Sequence, residues 1–351
     1  MNRRYFCAAA CVLSLAASGI AQTNVTLNLQ VGGKARNSVV HVPSGATKPP
    51  VVFFIHGATG SGANFQRETK GDATADREKF IAVYPSASSN GASGTWDDMQ
   101  GTGNFPFFMA IIDTLNARYQ IDKNRIYMTG FSQGGFISFA AGCFYSDVFA
   151  AIAPVSGHAV KPCTIKRPVP TFMTWGGNEG TSFLADRDLW VGLNKCTATP
   201  TTTRNFPTTT PNAKGTLVSY GSCDKGSAVL MDSISGQGHQ WPGTSNGNHA
   251  DEVWSFFKKY SLEGATGVAA PKPVRFGADL SVSYASGSIR LAGLPAAARV
   301  RVTDIRGKVI VNEIANAAAS REVDVPRLTG GVYVVTVGEK GNSTARKILV
   351  P

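Results

Sequence analysis

One pentapeptide constrains this chain more than any other: Gly130-Phe131-Ser132-Gln133-Gly134. It lies between an apolar run over Arg125–Gly130 and a stretch rich in small residues over Gln133–Cys143. The first reads as a strand and the second as a helix. A strand that turns directly into a helix needs small residues on both sides of the turn, and it lifts the turn side chain above the sheet edge. By itself G-x-S-x-G arises often by chance, and a glycine-rich turn around an ordinary serine is the bland reading. The strand before it and the helix after it favour a nucleophile.

The surrounding chain repeats the same alternation. Asn24–Val31 and Ser38–Val42 read as an opening β-hairpin, and Val51–Ile55, Phe80–Tyr84, Phe149–Val155, Pro170–Trp175 and Ala228–Ile234 as further strands. Helical spacing marks Phe107–Tyr119, with Pro106 suited to a helix start, together with Leu184–Asn194 and Ala250–Tyr260. Strands alternating with helices imply an α/β fold with a mostly parallel sheet and helices on both faces. Thr197–Pro211 is low in complexity and reads as a solvated surface insertion, or as a glycosylated or substrate-facing lip. Residues 263–275 have the Pro/Gly-bearing composition of a linker. From there the texture changes. Seven short runs between Leu280 and Leu349, punctuated by Gly, Pro and Asn, imply a small all-β sandwich over 276–351.

Residues 1–21 carry Arg3 and Arg4 before a short apolar run that ends in small residues, the pattern of a secretory signal peptide cleaved after Ala21. No other stretch suits a bilayer span. Cleavage leaves Cys143, Cys163, Cys196 and Cys223, an even number in an oxidising compartment, so two disulfides are expected, with sequence neighbours paired. The net charge of +11 is spread along the chain rather than gathered on one element. Nucleic acid is therefore not an expected partner. The sequence shows no metal-ligand cluster and no phosphate-binding glycine loop, so no cofactor and no metal are expected.

A serine is a poor nucleophile without a base. Of His41, His56, His158, His239 and His249, only His239 lies in a loop between the last strand of the first region and its closing helix, within Gly236–Gly243. His249 is second, at the start of that helix; His41 reads as a strand surface residue and His56 as a structural one. The carboxylate that orients the base is expected after the strand Pro170–Trp175, where Glu179 stands; Asp186 and Asp188 are alternatives. Backbone N–H groups must meet the developing oxyanion. Gln133 and Ala58 are the candidates, with Thr59 second. Trp96 and Trp241 are candidate pocket walls, a buried structural indole being the competing reading for Trp241.

Four stretches together resemble the polyhydroxybutyrate-depolymerase and feruloyl-esterase members of carbohydrate esterase family 1. They are Phe54-Ile55-His56-Gly57, Tyr119–Gly135, Asp147–Gly157 and Gly238–Gly243. The resemblance covers about residues 45–262. It implies an α/β-hydrolase fold over 22–262 and hydrolysis of esters on acylated plant polysaccharide or in polyesters. The family pattern has an aspartate where Glu179 stands, and often a cysteine where Ala58 stands. Val300–Ile310, Gly330–Val335 and Arg346–Val350 resemble type IX secretion sorting domains, which implies that secretion machinery as a partner and an extracellular location. A feruloyl or acetyl xylan esterase leads, a polyhydroxyalkanoate depolymerase follows, and a non-catalytic surface binding protein on a hydrolase scaffold is the reading from another class.

Overall fold

The computed structural model describes residues 21–243 and 246–265 and, beyond them, 281–285, 288–292, 298–304, 308–315, 322–324, 328, 330–339 and 342–350. The expected signal peptide up to residue 20, most of the linker and Phe276 lie outside the described residues. The chain divides near residue 266 into two compact units.

In the first unit the elements run β1 (Thr23–Val31), β2 (Lys34–Val42), β3 (Val51–Ile55), α1 (Gly62–Thr69), α2 (Gly71–Glu78), β4 (Ile81–Pro85), α3 (Phe105–Tyr119), β5 (Ile126–Phe131), α4 (Gln133–Phe144), β6 (Ala151–Val155) and β7 (Thr171–Gly176). They continue with α5 (Phe183–Leu193), β8 (Thr201–Phe206), β9 (Gly215–Tyr220), β10 (Val229–Ile234) and α6 (His249–Phe257). One sheet takes all ten strands in the order β1-β2-β4-β3-β5-β6-β7-β10-β9-β8. The six from β4 to β10 are parallel, and an antiparallel pair flanks them on either side. Strands buried on both faces need apolar residues throughout, and every residue of β3 and β4 is buried.

The pleat of β3 divides the core. Val51, Phe53 and Ile55 face one cluster, with Phe105, Phe108 and Ile111 of α3, Phe139 of α4 and Trp190 of α5. Val52 and Phe54 face the other, with Phe65 of α1, Ala75 of α2 and Trp254 and Phe257 of α6. Alternate side chains of a strand point to opposite faces, so each helix layer rests on its own half of the pattern.

Three features differ from expectation. Helices α1 and α2 occupy a stretch with little apolar periodicity; the left-handed Lys70 (φ 53°) breaks them apart, and Ser61 caps the first by accepting from the Asn64 N–H at 3.3 Å. Much of the low-complexity stretch is β8, whose side chains are almost all exposed at the sheet edge, so the insertion is ordered. Its β-branched threonines suit an extended backbone. His41 is buried rather than on the strand surface. Its Nδ1 lies 2.9 Å from Asn24 Oδ1 and its Nε2 2.9 Å from Asp76 Oδ1, so it ties the hairpin to α2.

The second unit holds a three-stranded sheet (Ser281–Ala285, Ser288–Ala292, Glu322–Asp324) and a four-stranded one (Val309–Ala315, Ala298–Asp304, Gly331–Glu339, Asn342–Val350), both antiparallel. Ile289 of the first joins Val300, Val302, Tyr333, Val335 and Val337 of the second in one core. The period of two along Val300–Val302 and Tyr333–Val337 is that of strands with one buried face.

Two disulfides pair the four cysteines among the described residues. Cys143 at the end of α4 joins Cys163, and Cys196 joins Cys223. The first bridge closes a loop 20 residues apart in sequence. Replacing Cys143 and Cys163 together by alanine is expected to lower unfolding stability by about 3 kcal/mol, from the loop entropy released to the unfolded chain, as read by urea denaturation.

Candidate active site

Strand β5 ends at Phe131, and Ser132 turns the chain into α4 with φ 54° and ψ −115°. A side chain is strained in that region. Backbone bonds hold the turn: the Ser132 N–H donates to Val155 O at 2.9 Å, and Ser132 O accepts from Gly135 and Phe136. The flanking glycines are required by close approach. A Cβ on Gly134 would stand 1.9 Å from Ile55 O, and one on Gly130 would stand 2.6 Å from both Ile55 O and Gly134 O. Glycine at both positions lets α4 lie this close to β3 and β5.

Three strand ends then meet. His239, in the loop after β10, places Nε2 2.9 Å from Ser132 Oγ and Nδ1 2.6 Å from Glu179 Oε1. Glu179 ends a short 3-10 turn (Gly177–Glu179) after β7. Its second oxygen is also held: Oε2 accepts from Ser156 Oγ and from the Gly176 N–H, each at 2.7 Å. A carboxylate only accepts, so Nδ1 carries the imidazole proton toward Glu179 and Nε2 is left to accept from the serine hydroxyl. The Glu179 side chain is 10% exposed and that of His239 53% exposed. The carboxylate is shielded and the imidazole faces solvent.

The alternative acids are engaged elsewhere. Asp186 Oδ2 accepts from His158 Nδ1 at 2.7 Å, and Asp188 pairs with Arg187. His249 is buried at the start of α6, 3.8 Å from Glu252. His56 is buried as a structural residue: its Nδ1–H donates to Gly57 O at 2.6 Å and its Nε2 accepts from the Ala87 N–H at 3.0 Å. Burial holds its pKa below the ordinary imidazole value.

The loop after β3 lies against the serine turn, for a Cβ on Gly57 would come within 3.2 Å of the Ser132 Cβ. Ala58 and Thr59 are exposed there, with Thr59 at φ 57°. The opposite candidate, Gln133, is the first residue of α4. Trp96 braces the two. Its backbone N–H donates to Gln133 Oε1 at 3.1 Å, its Nε1–H donates to His56 O at 3.0 Å, and its ring stacks on His56 at 4.9 Å. The ring is buried in the core, so Trp96 supports the loop from beneath. Trp241 is buried against Phe65 and His249, and it also borders an open cavity of about 330 Å³ lined by Glu68, Lys70, Gln240 and Asn248.

Sequence reasoning missed Ser156. It stands at φ 49° just past β6, with its N–H on Thr174 O. The available signal was a Ser-Gly pair closing an apolar strand, inside the stretch Asp147–Gly157.

Residues 37–164 match the family described as Esterase PHB depolymerase, and residues 284–351 match the Secretion system C-terminal sorting domain. A bifunctional acetylxylan esterase/xylanase of Neocallimastix patriciarum is 32% identical over 242 residues, covering 66% of this chain and 34% of the relative. A poly(3-hydroxyalkanoate) depolymerase C of Paucimonas lemoignei is 30% identical over 178 residues, covering 48% and 42%. The chain thus spans well under half the length of these curated relatives. Among solved structures, the acetyl xylan esterase from Aspergillus awamori superposes with a TM-score of 0.52 at 19% identity, covering 68% of this chain and 98% of that one. The first unit has the α/β-hydrolase fold, and the match to the Esterase PHB depolymerase family lies within it. The second unit carries the match to the sorting domain, in keeping with an extracellular location. Among the described residues no helix is long and apolar enough to cross a membrane.

This geometry has two measurable consequences. Gly134→Ala forces α4 away from β3 and is expected to cost about 3 kcal/mol or more of stability, as read by urea denaturation. The second concerns Asp232 on β10, the strand that leads into the His239 loop. Burial, reinforced by the Glu252 charge and opposed by a Thr216 backbone bond, pushes its carboxyl up to about 7. From about pH 4, where an unfolded aspartate ionises, to about pH 7 the folded chain keeps the proton that the unfolded chain has lost, so this group's contribution to stability falls as pH rises through that window. Asp232→Asn is expected to flatten that slope, measured as denaturation midpoints across the window.

Proposed function

We propose that this chain is a secreted serine carboxylic ester hydrolase acting on acylated plant polysaccharide, as a feruloyl or acetyl xylan esterase. The observation that carries the reading is His239 bridging Ser132 and Glu179 through its two ring nitrogens. In this reaction Ser132 Oγ attacks the ester carbonyl while His239 Nε2 takes its proton. The tetrahedral oxyanion is met by the Gln133 and Ala58 N–H groups. Collapse expels the alcohol, which receives the proton from His239, and leaves an acyl-enzyme on Ser132. Water, deprotonated by the same nitrogen, then releases the acid. Glu179 holds the imidazole tautomer and stabilises the imidazolium, with Ser156 and Gly176 keeping its second oxygen in place.

The acetylxylan esterase/xylanase relative and the likeness to the Aspergillus awamori fold support the polysaccharide substrate. The depolymerase relative and the family match over residues 37–164 support a second reading on the same site, hydrolysis of a hydroxyalkanoate polyester. The sorting domain is proposed to engage type IX secretion machinery.

Release of acid from acetylated xylan, methyl ferulate and polyhydroxybutyrate by the wild-type protein separates the readings. The first two are expected to be cleaved, and cleavage of none of them overturns the esterase. Ser132→Ala is expected to lower p-nitrophenyl acetate hydrolysis by at least about a thousandfold. Glu179→Gln preserves shape but offers an amide to Nδ1, favouring the wrong tautomer, and is expected to lower kcat by about a thousandfold to ten-thousandfold. Unchanged turnover in Ser132→Ala would mean that hydrolysis does not pass through this serine.

A further inference from the structure

A second histidine–carboxylate pair stands beside the first, and the reaction above makes no use of it. His158 follows β6, two residues past Ser156, and its Nδ1 lies 2.7 Å from Asp186 Oδ2 in the first turn of α5. The Asp186 side chain is 5% exposed, that of His158 40%. Since the carboxylate only accepts, Nδ1 carries the proton, and Nε2 of the neutral ring is an acceptor. Among the described residues Nε2 has no protein partner.

The ring is also held in place by packing. It stacks on Phe183 at 4.4 Å and 11°, and meets Phe136 edge-on at 5.8 Å. Phe136 stands one turn along α4 from Ser132, to whose carbonyl its N–H donates. A Cβ on Gly157 would stand 2.5 Å from the Phe136 nitrogen, so the His158 loop is pressed against the same turn. In the sheet β6 lies between β5 and β7, whose ends carry Ser132 and Glu179. His158 therefore flanks the reacting serine on the side away from the β3 loop.

We propose that His158 is a substrate-binding residue whose Nε2 accepts a hydrogen bond from a free hydroxyl of the polysaccharide that bears the ester. The proposal rests on the esterase reading and narrows it. An oriented, solvent-facing acceptor selects O–H donors. Unsubstituted and singly acylated sugar units of such a polysaccharide offer one, whereas the interior of a hydroxyalkanoate polyester offers only ester oxygens and alkyl groups. A site built to bond a hydroxyl discriminates against a substrate that lacks it, because its polar group is then left unpaired. Asp186 acts as a positioning residue for that acceptor.

The test is the ratio of kcat/KM for an acetylated xylo-oligosaccharide to that for p-nitrophenyl acetate, which shares the acyl group and has no hydroxyl. His158→Phe is expected to lower the ratio about tenfold, chiefly through KM on the oligosaccharide. His158→Ala, which adds no bulk, reads the same quantity should the phenylalanine variant not fold. His158→Gln keeps an acceptor oxygen and is expected to bring the ratio back to within about threefold of wild type. An unchanged ratio in the alanine variant, or a glutamine variant that falls as far as alanine, overturns the proposal. A wild-type protein that cleaves neither substrate overturns the esterase reading itself, and the proposal with it, a result distinct from an active protein with an unmoved ratio.

Discussion

The site depends on the left-handed backbone of Ser132, held where β5 becomes α4 (φ 54°). A non-glycine residue in that region costs on the order of 1–3 kcal/mol and persists only where its surroundings over-determine it. Here they do. The turn's own N–H is tied to β6 through Val155 O, its carbonyl accepts from two residues of α4, and Gly130 and Gly134 let that helix settle against Ile55. Every other site residue is placed relative to this one. The β3 loop is pressed onto the serine by Gly57, and the β6 loop onto α4 by Gly157. The tight turn is thus a packing centre as well as a chemical one.

Parallel strands deliver the rest from a single sheet edge, since all their C-terminal ends lie together. The order β3, β5, β6, β7, β10 becomes an order of roles: the candidate oxyanion loop, Ser132, Ser156 with His158, Glu179, then His239. A glutamate has one more methylene and one more torsion to hold than an aspartate would. The fold offsets that freedom by engaging both oxygens, Oε1 on His239 and Oε2 on Ser156 and Gly176. Ser156 is itself left-handed (φ 49°). A second strained serine is thereby coupled through the carboxylate and imidazole to the first.

What the sequence made legible follows from how each element earns its stability. The six parallel strands are buried on both faces, so their apolar runs stand out, and Ser132 and His239 sit in short motifs whose context is local. The helices α1 and α2 were not legible: each is eight residues long, and they depend on the Ser61 cap and on single anchors such as Phe65 and Ala75 rather than on an apolar stripe. Strand β8 was obscured because an edge strand with exposed threonines has the composition of a loop. His41 read as a surface residue because β2 lies toward the sheet edge, yet α2 covers it with Asp76. Ser156 and the bracing role of Trp96 arise from contacts distant in sequence, and a local reading reaches neither.

Burial sorts the five histidines by what their second ring nitrogen is left to do. His41, His56 and His249 are enclosed, and the fold uses the first two as struts with both nitrogens engaged. Only His158 and His239 keep half-open side chains, and each has a carboxylate on Nδ1 that fixes the same tautomer. Their difference lies at Nε2. In His239 that nitrogen meets Ser132 Oγ, the proposed nucleophile. In His158 it faces outward, with its ring stacked and its proton committed to a buried aspartate. Ordering an imidazole so tightly costs rotamer entropy, while a stacked ring alone would need no carboxylate behind it. The unused acceptor is what the Asp186 bond secures, and on this side of Ser132 it stands open to the proposed substrate hydroxyl.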